Sequence, residues 1–190
     1  MRVISGTARG LYLIAPKGLK IRPTGDRMKE DLFNILTPLL QKAVFLDMYC
    51  GSGAIGIEAL SRGAKAAIFV DTSKEAIAAT EANLLKARLE DRSEILHMSA
   101  NQALQKLQSQ NRVFDIIFMD PPYDSEELSA SLDFMAKRDF LAEDGIIVIE
   151  SPMDVRLPDC FEIPEISIYR QKQYTQMQFV FYKKIGKERP

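Results

Sequence analysis

The feature that most restricts what this chain can become is a series of short apolar runs separated by stretches of helical composition. Val44–Leu46, Ala66–Val70, Phe114–Met119 and Ile146–Ile149 are bounded by polar or glycine residues, as strands buried on both faces are. Between them, Ala54–Arg62, Ser73–Lys86, Asn101–Gln108 and Glu126–Arg138 read as helices, and Gly63 stands where the first of these should stop. A further strand passes through Ile95–Met98. Strand followed by helix, repeated, predicts an α/β fold with a mostly parallel sheet covered on both faces. Phe161–Arg170 and Gln176–Tyr182 leave little room for a helix between them and predict an antiparallel closing pair, for a seven-stranded sheet.

Ahead of this pattern, Met28, Leu32, Ile35, Leu36 and Leu39 recur at helical spacing, with Thr24 or Asp26 able to cap the helix and Pro38 expected to end or kink it. Arg2–Ser5 and Leu11–Ile14, joined by a turn holding Gly6 and Gly10, predict a small β-hairpin. The expected organisation is therefore an N-terminal extension over residues 1–23 and one main domain over 24–190. With 190 residues, 46% of them hydrophobic, there is material for one substantial core and little more.

Charge is uneven. The formal net charge is −1, yet residues 1–29 hold seven Lys and Arg against Asp26 alone, and the tail adds Lys183, Lys184, Lys187 and Arg189 against Glu188. The two cysteines, Cys50 and Cys160, are far apart, and with His97 the only histidine no metal-ligand spacing exists, so free thiols and no metal are expected. No secretory leader or membrane-length apolar run is evident, which predicts a cytoplasmic protein.

Asp47-Met48-Tyr49-Cys50-Gly51-Ser52-Gly53-Ala54-Ile55-Gly56 closes one strand and opens a helix, with three glycines in GxGxxG spacing. Small residues let a ligand approach the backbone, and the helix N-terminus offers amide donors. The next strand ends at Asp71, whose carboxylate can accept from both hydroxyls of an adenosine ribose. A dinucleotide would satisfy that much. Asp47 favours S-adenosylmethionine (SAM), because an acid there opposes a pyrophosphate and suits an ammonium and a sulfonium. Cys50 is expected to pack rather than react.

The strand Phe114–Met119 runs directly into Asp120-Pro121-Pro122-Tyr123. Two prolines remove two amide donors and free the Pro121 carbonyl to face a pocket. An exocyclic amine is a poor nucleophile because its lone pair is delocalised. If the Asp120 carboxylate and the Pro121 carbonyl each accept one N–H, that nitrogen can pyramidalise and aim its lone pair at a methyl donor. Tyr123 offers a flat face for a base taken out of its stack.

These residues resemble the RsmD-type bacterial 16S ribosomal RNA methyltransferase family, over nearly the whole chain. The resemblance is carried by Arg2-Val3-Ile4-Ser5-Gly6 with Arg9-Gly10, Arg22-Pro23-Thr24, Asp26-Arg27, Lys29-Glu30, Phe33-Asn34, Gly51-Ser52-Gly53, the string Gly56–Gly63 and the proline corner. It implies a Rossmann-like class I methyltransferase fold, SAM as cofactor, the N2 amine of a guanine in 16S rRNA as target, and small-subunit rRNA or an assembly particle as partner of a monomer. Catalysis would fall to Asp120, Pro121 and Tyr123. Cofactor contacts would come from Asp47, Tyr49, Gly51, Ser52, Gly53, Asp71 and Thr72. Where the family usually places Asp or Asn to hold the adenine amine, this chain has Ser99, followed by Ala100, so a serine hydroxyl or backbone contact is expected instead. Arg2, Arg9, Lys17, Arg22 and Arg27 would grip RNA phosphates. The turn Lys172–Met177 departs from the family's glycine-containing form, and no chemistry is assigned to Tyr174. The proline corner alone would equally serve adenine N6 in DNA or a protein glutamine amide, and a silent RNA-binding assembly factor would keep the same fold.

Overall fold

A computed structural model describes residues 1–16, 25–121, 126–136, 139–155, 157 and 166–184. The elements are α1 (Asp26–Leu40), β1 (Val44–Met48), α2 (Ala54–Ser61), β2 (Ala66–Asp71), α3 (Lys74–Ala87), β3 (Ser93–His97), α4 (Ala100–Ser109), β4 (Phe114–Met119), α5 (Glu126–Ala136), β5 (Leu141–Pro152), β6 (Ile166–Gln173) and β7 (Met177–Lys184). The strands form one sheet in the order β3-β2-β1-β4-β5-β7-β6. β1 to β5 run parallel, and β7 lies antiparallel between β5 and β6. Strand order reverses between β1 and β4, and the crevice outside the carboxyl ends at such a switch point is where open α/β sheets bind ligands.

Two-residue alternation sorts each strand between two cores. Phe45 of β1 packs with Leu32, Phe33 and Leu36 of α1 and with Ile57 and Leu60 of α2. Its neighbours Leu46 and Met48 pack with Leu104 and Leu107 of α4 and with Leu132 and Met135 of α5. One face is thus covered by α1, α2 and α3, the other by α4 and α5. Truncating Phe33, which is wholly buried, would cost about 3–5 kcal/mol through lost contacts and the cavity left behind.

Several expectations need correction. Pro38 neither ends nor breaks α1, which continues to Leu40; it sits in the last turn on the exposed side, where a carbonyl left unpaired can turn to water. The helix is entered from Gly25 without a side-chain cap, and Asp26 is its first residue instead; Thr24 lies outside the described residues. β5 spans twelve residues rather than four, and Gly145 within it leaves no room for a Cβ, which would lie 2.8 Å from Leu141. The edge strand β6 is irregular between Ile168 and Arg170, leaving Tyr169 out of the ladder and 58% exposed.

The N-terminal segment makes only one bridge, Arg2 with Tyr12, rather than two full strands. What fixes it is the main domain. Val3 and Leu13 are buried in the α1–α3 core, and Glu58 of α2, with 0% exposure, receives the amides of Ile4 at 2.7 Å and Ser5 at 2.9 Å. The same carboxylate meets Lys29 at 3.2 Å and Arg62 at 2.7 Å. Four donors compensate a charge that would be prohibitively costly to bury alone. Burial still pulls the Lys29 ammonium below its usual range, opposed by Glu58. Asn83 of α3 completes the seam, accepting from Ile14 N at 2.7 Å and donating to Ile14 O at 2.9 Å.

Candidate active site

The glycine turn is built by backbone conformation first. Gly51 and Gly53 adopt φ of +56° and +73°, and Tyr49 holds +64°, a left-handed conformation that is strained for a bulky side chain. The turn is tied to its surroundings by the Cys50 amide on Val70 O at 2.9 Å, the Thr80 hydroxyl on Gly51 O at 3.1 Å and the Asn83 amide on Ser52 O at 2.9 Å. The Gly51 and Ser52 carbonyls are therefore occupied from α3, and the Cys50 carbonyl accepts the Gly53 amide within the turn. Gly56 carries a packing constraint: a Cβ there would lie 2.3 Å from the Phe69 ring, so only glycine lets α2 settle on β2.

Asp47 departs from the expectation of an open ligand acid. It is 1% exposed and accepts the Gly56 amide on Oδ2 at 2.8 Å. Alternation explains this, since Phe45 and Asp47 both point to the α2 side. Burial raises its carboxyl to about 7, the Gly56 hydrogen bond opposes the rise, and Asp71 and Asp120 add to it. Cys50 packs as expected. It is a buried free thiol pushed well upward by burial and by Asp47 and Asp71, the reverse of an activated nucleophile. Cys160 lies outside the described residues.

Asp71 ends β2 half-buried, with Oδ2 on the Gly51 amide at 2.9 Å and Oδ1 on the Ser73 amide at 2.8 Å. Each carboxylate oxygen has a second lone pair for a ligand hydroxyl. Thr72 is exposed, and its carbonyl lies 3.0 Å from His97 Nε2, which makes His97 a surface partner of the loop. Ser99 caps α4, accepting from Gln102 N while the Gln102 side chain returns to the Ser99 amide. Ala100 beside it is buried.

Asp120 follows β4, half-buried, and Pro121 is buried. Pro122 and Tyr123 lie outside the described residues, as do Lys17 and Arg22. Register places Asp47 opposite Phe118, Met48 opposite Met119, and Met119 opposite Ile149. Asp120 therefore leaves the sheet level with Tyr49 on one side and Glu150 on the other. Asp71, Asp120 and Glu150 stand in one row across the carboxyl ends, on the α2 side, with Asp47 one pair deeper. Glu150 is 4% exposed and is not singled out by any sequence motif; its only signal is an acid closing an otherwise apolar strand.

Of the cations expected to meet RNA, Arg9 and Arg27 are exposed, and Arg2 is exposed but paired with Asp26 at 3.0 Å. Lys29, counted in the basic surplus, is spent internally on Glu58. Among the described residues no group of three or more His, Cys, Asp or Glu is arranged to hold a metal ion, and no helix is long and apolar enough to cross a membrane.

Residues 1–183 match the family model described as Conserved hypothetical protein 95. In Bacillus subtilis a protein named YlbH is 38% identical over 186 residues, 98% of this chain and all of its own. Ribosomal RNA small subunit methyltransferase D of Escherichia coli K12 is 31% identical over 185 residues, 97% of this chain and 90% of that protein. The chain belongs to the RsmD family. A solved member, yhhF from Escherichia coli, superposes with a TM-score of 0.83 at 31% identity, covering 97% of each chain. The Rossmann-like methyltransferase architecture is thus shared by the family and by this sheet.

Proposed function

We propose that this chain is a SAM-dependent methyltransferase that modifies the exocyclic N2 of a guanine in 16S rRNA. The observation that carries the reading is the convergence of Asp47, Asp71 and Asp120 from the carboxyl ends of three neighbouring strands. The charged neighbours acting on Asp47 are both acids, so a cationic ligand fits this crevice and a pyrophosphate does not. The name of the Escherichia coli relative supports rRNA of the small subunit as substrate.

When bound, SAM supplies an electrophilic methyl group on a sulfonium. Asp71 offers lone pairs for ribose hydroxyls, the backbone from Gly51 to Gly53 lets the cofactor lie close, and Tyr49 and Thr72 flank it. With the Ser99 hydroxyl, amide and carbonyl all engaged in capping α4, the adenine contact passes to the backbone at Ala100. Asp120 and the Pro121 carbonyl each accept a hydrogen bond from one N–H of the target amine, orient the lone pair toward the methyl and stabilise charge developing on nitrogen, and the Tyr123 ring offers a flat face to the base. Holding the reactants in a near-attack arrangement supplies roughly 7–11 kcal/mol of the barrier. Residues 1–23 serve as the RNA-gripping extension of a catalytic domain over 24–190, acting as a monomer in the cytoplasm.

The test is to incubate the purified protein with labelled SAM and small-subunit rRNA, or particles from a strain lacking this enzyme, and to map the labelled nucleotide. Label on one guanine N2 is expected. Label on adenine N6 of duplex DNA or on a protein glutamine, with none on the rRNA, would replace this reading by the alternative acceptor.

A further inference from the structure

The irregularity at Tyr169 shifts the alternation of β6 by one residue. Beyond it, Arg170 stands opposite Phe181 and Lys172 opposite Phe179, on the face covered by α1. Glu150 pairs with Phe179, so Asp120, Glu150, Phe179 and Lys172 occupy successive strands in one row. At about 4.8 Å per strand, Lys172 lies roughly 14 Å from Asp120 along the sheet.

The first turns of α1 meet this end of β6. Tyr174, in the β6–β7 turn, donates its hydroxyl to Asp31 Oδ2 at 2.9 Å and sets its ring edge-on to Phe179 at 5.9 Å. Lys172 Nζ is 3.7 Å from the same Asp31 oxygen and 5.7 Å from the Tyr174 ring centroid. Arg27 is exposed one helical turn before Asp31, on the same side of α1, and its charge reaches the Tyr174 hydroxyl.

We propose that Lys172 and Arg27 form a two-pronged clamp on RNA phosphates beside the target nucleotide, an inference that rests on the RNA reading above. Asp31 sets the spacing of the prongs, and Tyr174 holds Asp31 in place. The Lys172 side chain keeps 41% of its exposure; a solvent-facing pair of this length is weak enough for the ammonium to move to a phosphate.

Each phosphate contact contributes about 0.7–0.9 to the slope of log affinity against log salt concentration. Binding of small-subunit rRNA should therefore show a slope lower by about that amount in Lys172→Gln and in Arg27→Gln, and by about twice that in the double variant. Lys172→Arg should restore it, and Lys65→Gln, an exposed position just before the amino end of β2, should leave it unchanged. SAM binding should be the same in all five proteins. Wild-type slopes in both single variants, with RNA binding intact, overturn the clamp alone. A wild-type protein that does not bind the rRNA overturns the parent reading, and the clamp with it.

Discussion

Asp47 shows how one buried carboxyl ties stability to pH. Its value is near 3.9 when unfolded and about 7 in the fold, so between those limits the native state holds more of the proton. Its contribution to stability is complete below about pH 4 and is lost as pH rises through 7, at up to about 1.4 kcal/mol per pH unit. Asp47→Asn keeps an oxygen for the Gly56 amide without the charge. Its ligand-free melting temperature should exceed the wild type's at pH 8 and match it near pH 4, while SAM binding weakens; a lower value at pH 8 would contradict the assignment. Asp120→Ala should abolish turnover and leave the circular dichroism spectrum and SAM affinity close to wild type, and retained activity would remove the proposed amine-orienting role. Asp71, Asp120 and the glycines were legible because motif and strand end coincide. The burial of Asp47 was not, since it follows from which face of β1 meets α2, and a sequence does not state that.

Among the elements, the strand–helix alternation was readable because buried parallel strands leave nearly continuous apolar runs. The manner in which the N-terminal segment docks was not readable. Lys29 and Glu58 look like solvated helix charges in sequence, and only the packing of α1 on α2 shows them buried against each other. Glu58→Gln removes the charge that Lys29 and Arg62 neutralise and should destabilise the protein by about 3–5 kcal/mol in urea titration. The Ile4 and Ser5 amides should then lose hydrogen-exchange protection first. Unchanged protection would mean that Val3 and Leu13 alone hold the segment.

For the molecule as a whole, the proposed recognition and the proposed chemistry occupy separable places. The cations proposed to meet RNA, Arg9, Arg27 and Lys172, sit on the N-terminal segment, α1 and β6, while Asp71, Asp120 and Glu150 stand across the carboxyl ends of β2, β4 and β5. Neutralising Arg9 and Arg22 together should raise the KM for rRNA several-fold while the Kd for SAM changes little; equal losses in both would show that the segment supports the cofactor turn rather than the substrate. Near-neutral total charge concealed this polarity, which the distribution along the chain revealed in part.

A seven-stranded open sheet also has two outer borders, each an invitation to zip onto another chain. On β6 the bulged Tyr169 breaks the hydrogen-bonding rhythm, and Arg170 and Lys172 follow at once. A border so interrupted and charged cannot template a copy of itself along its length. The kink that turns two cations toward α1 is therefore also a guard against fibrous self-association.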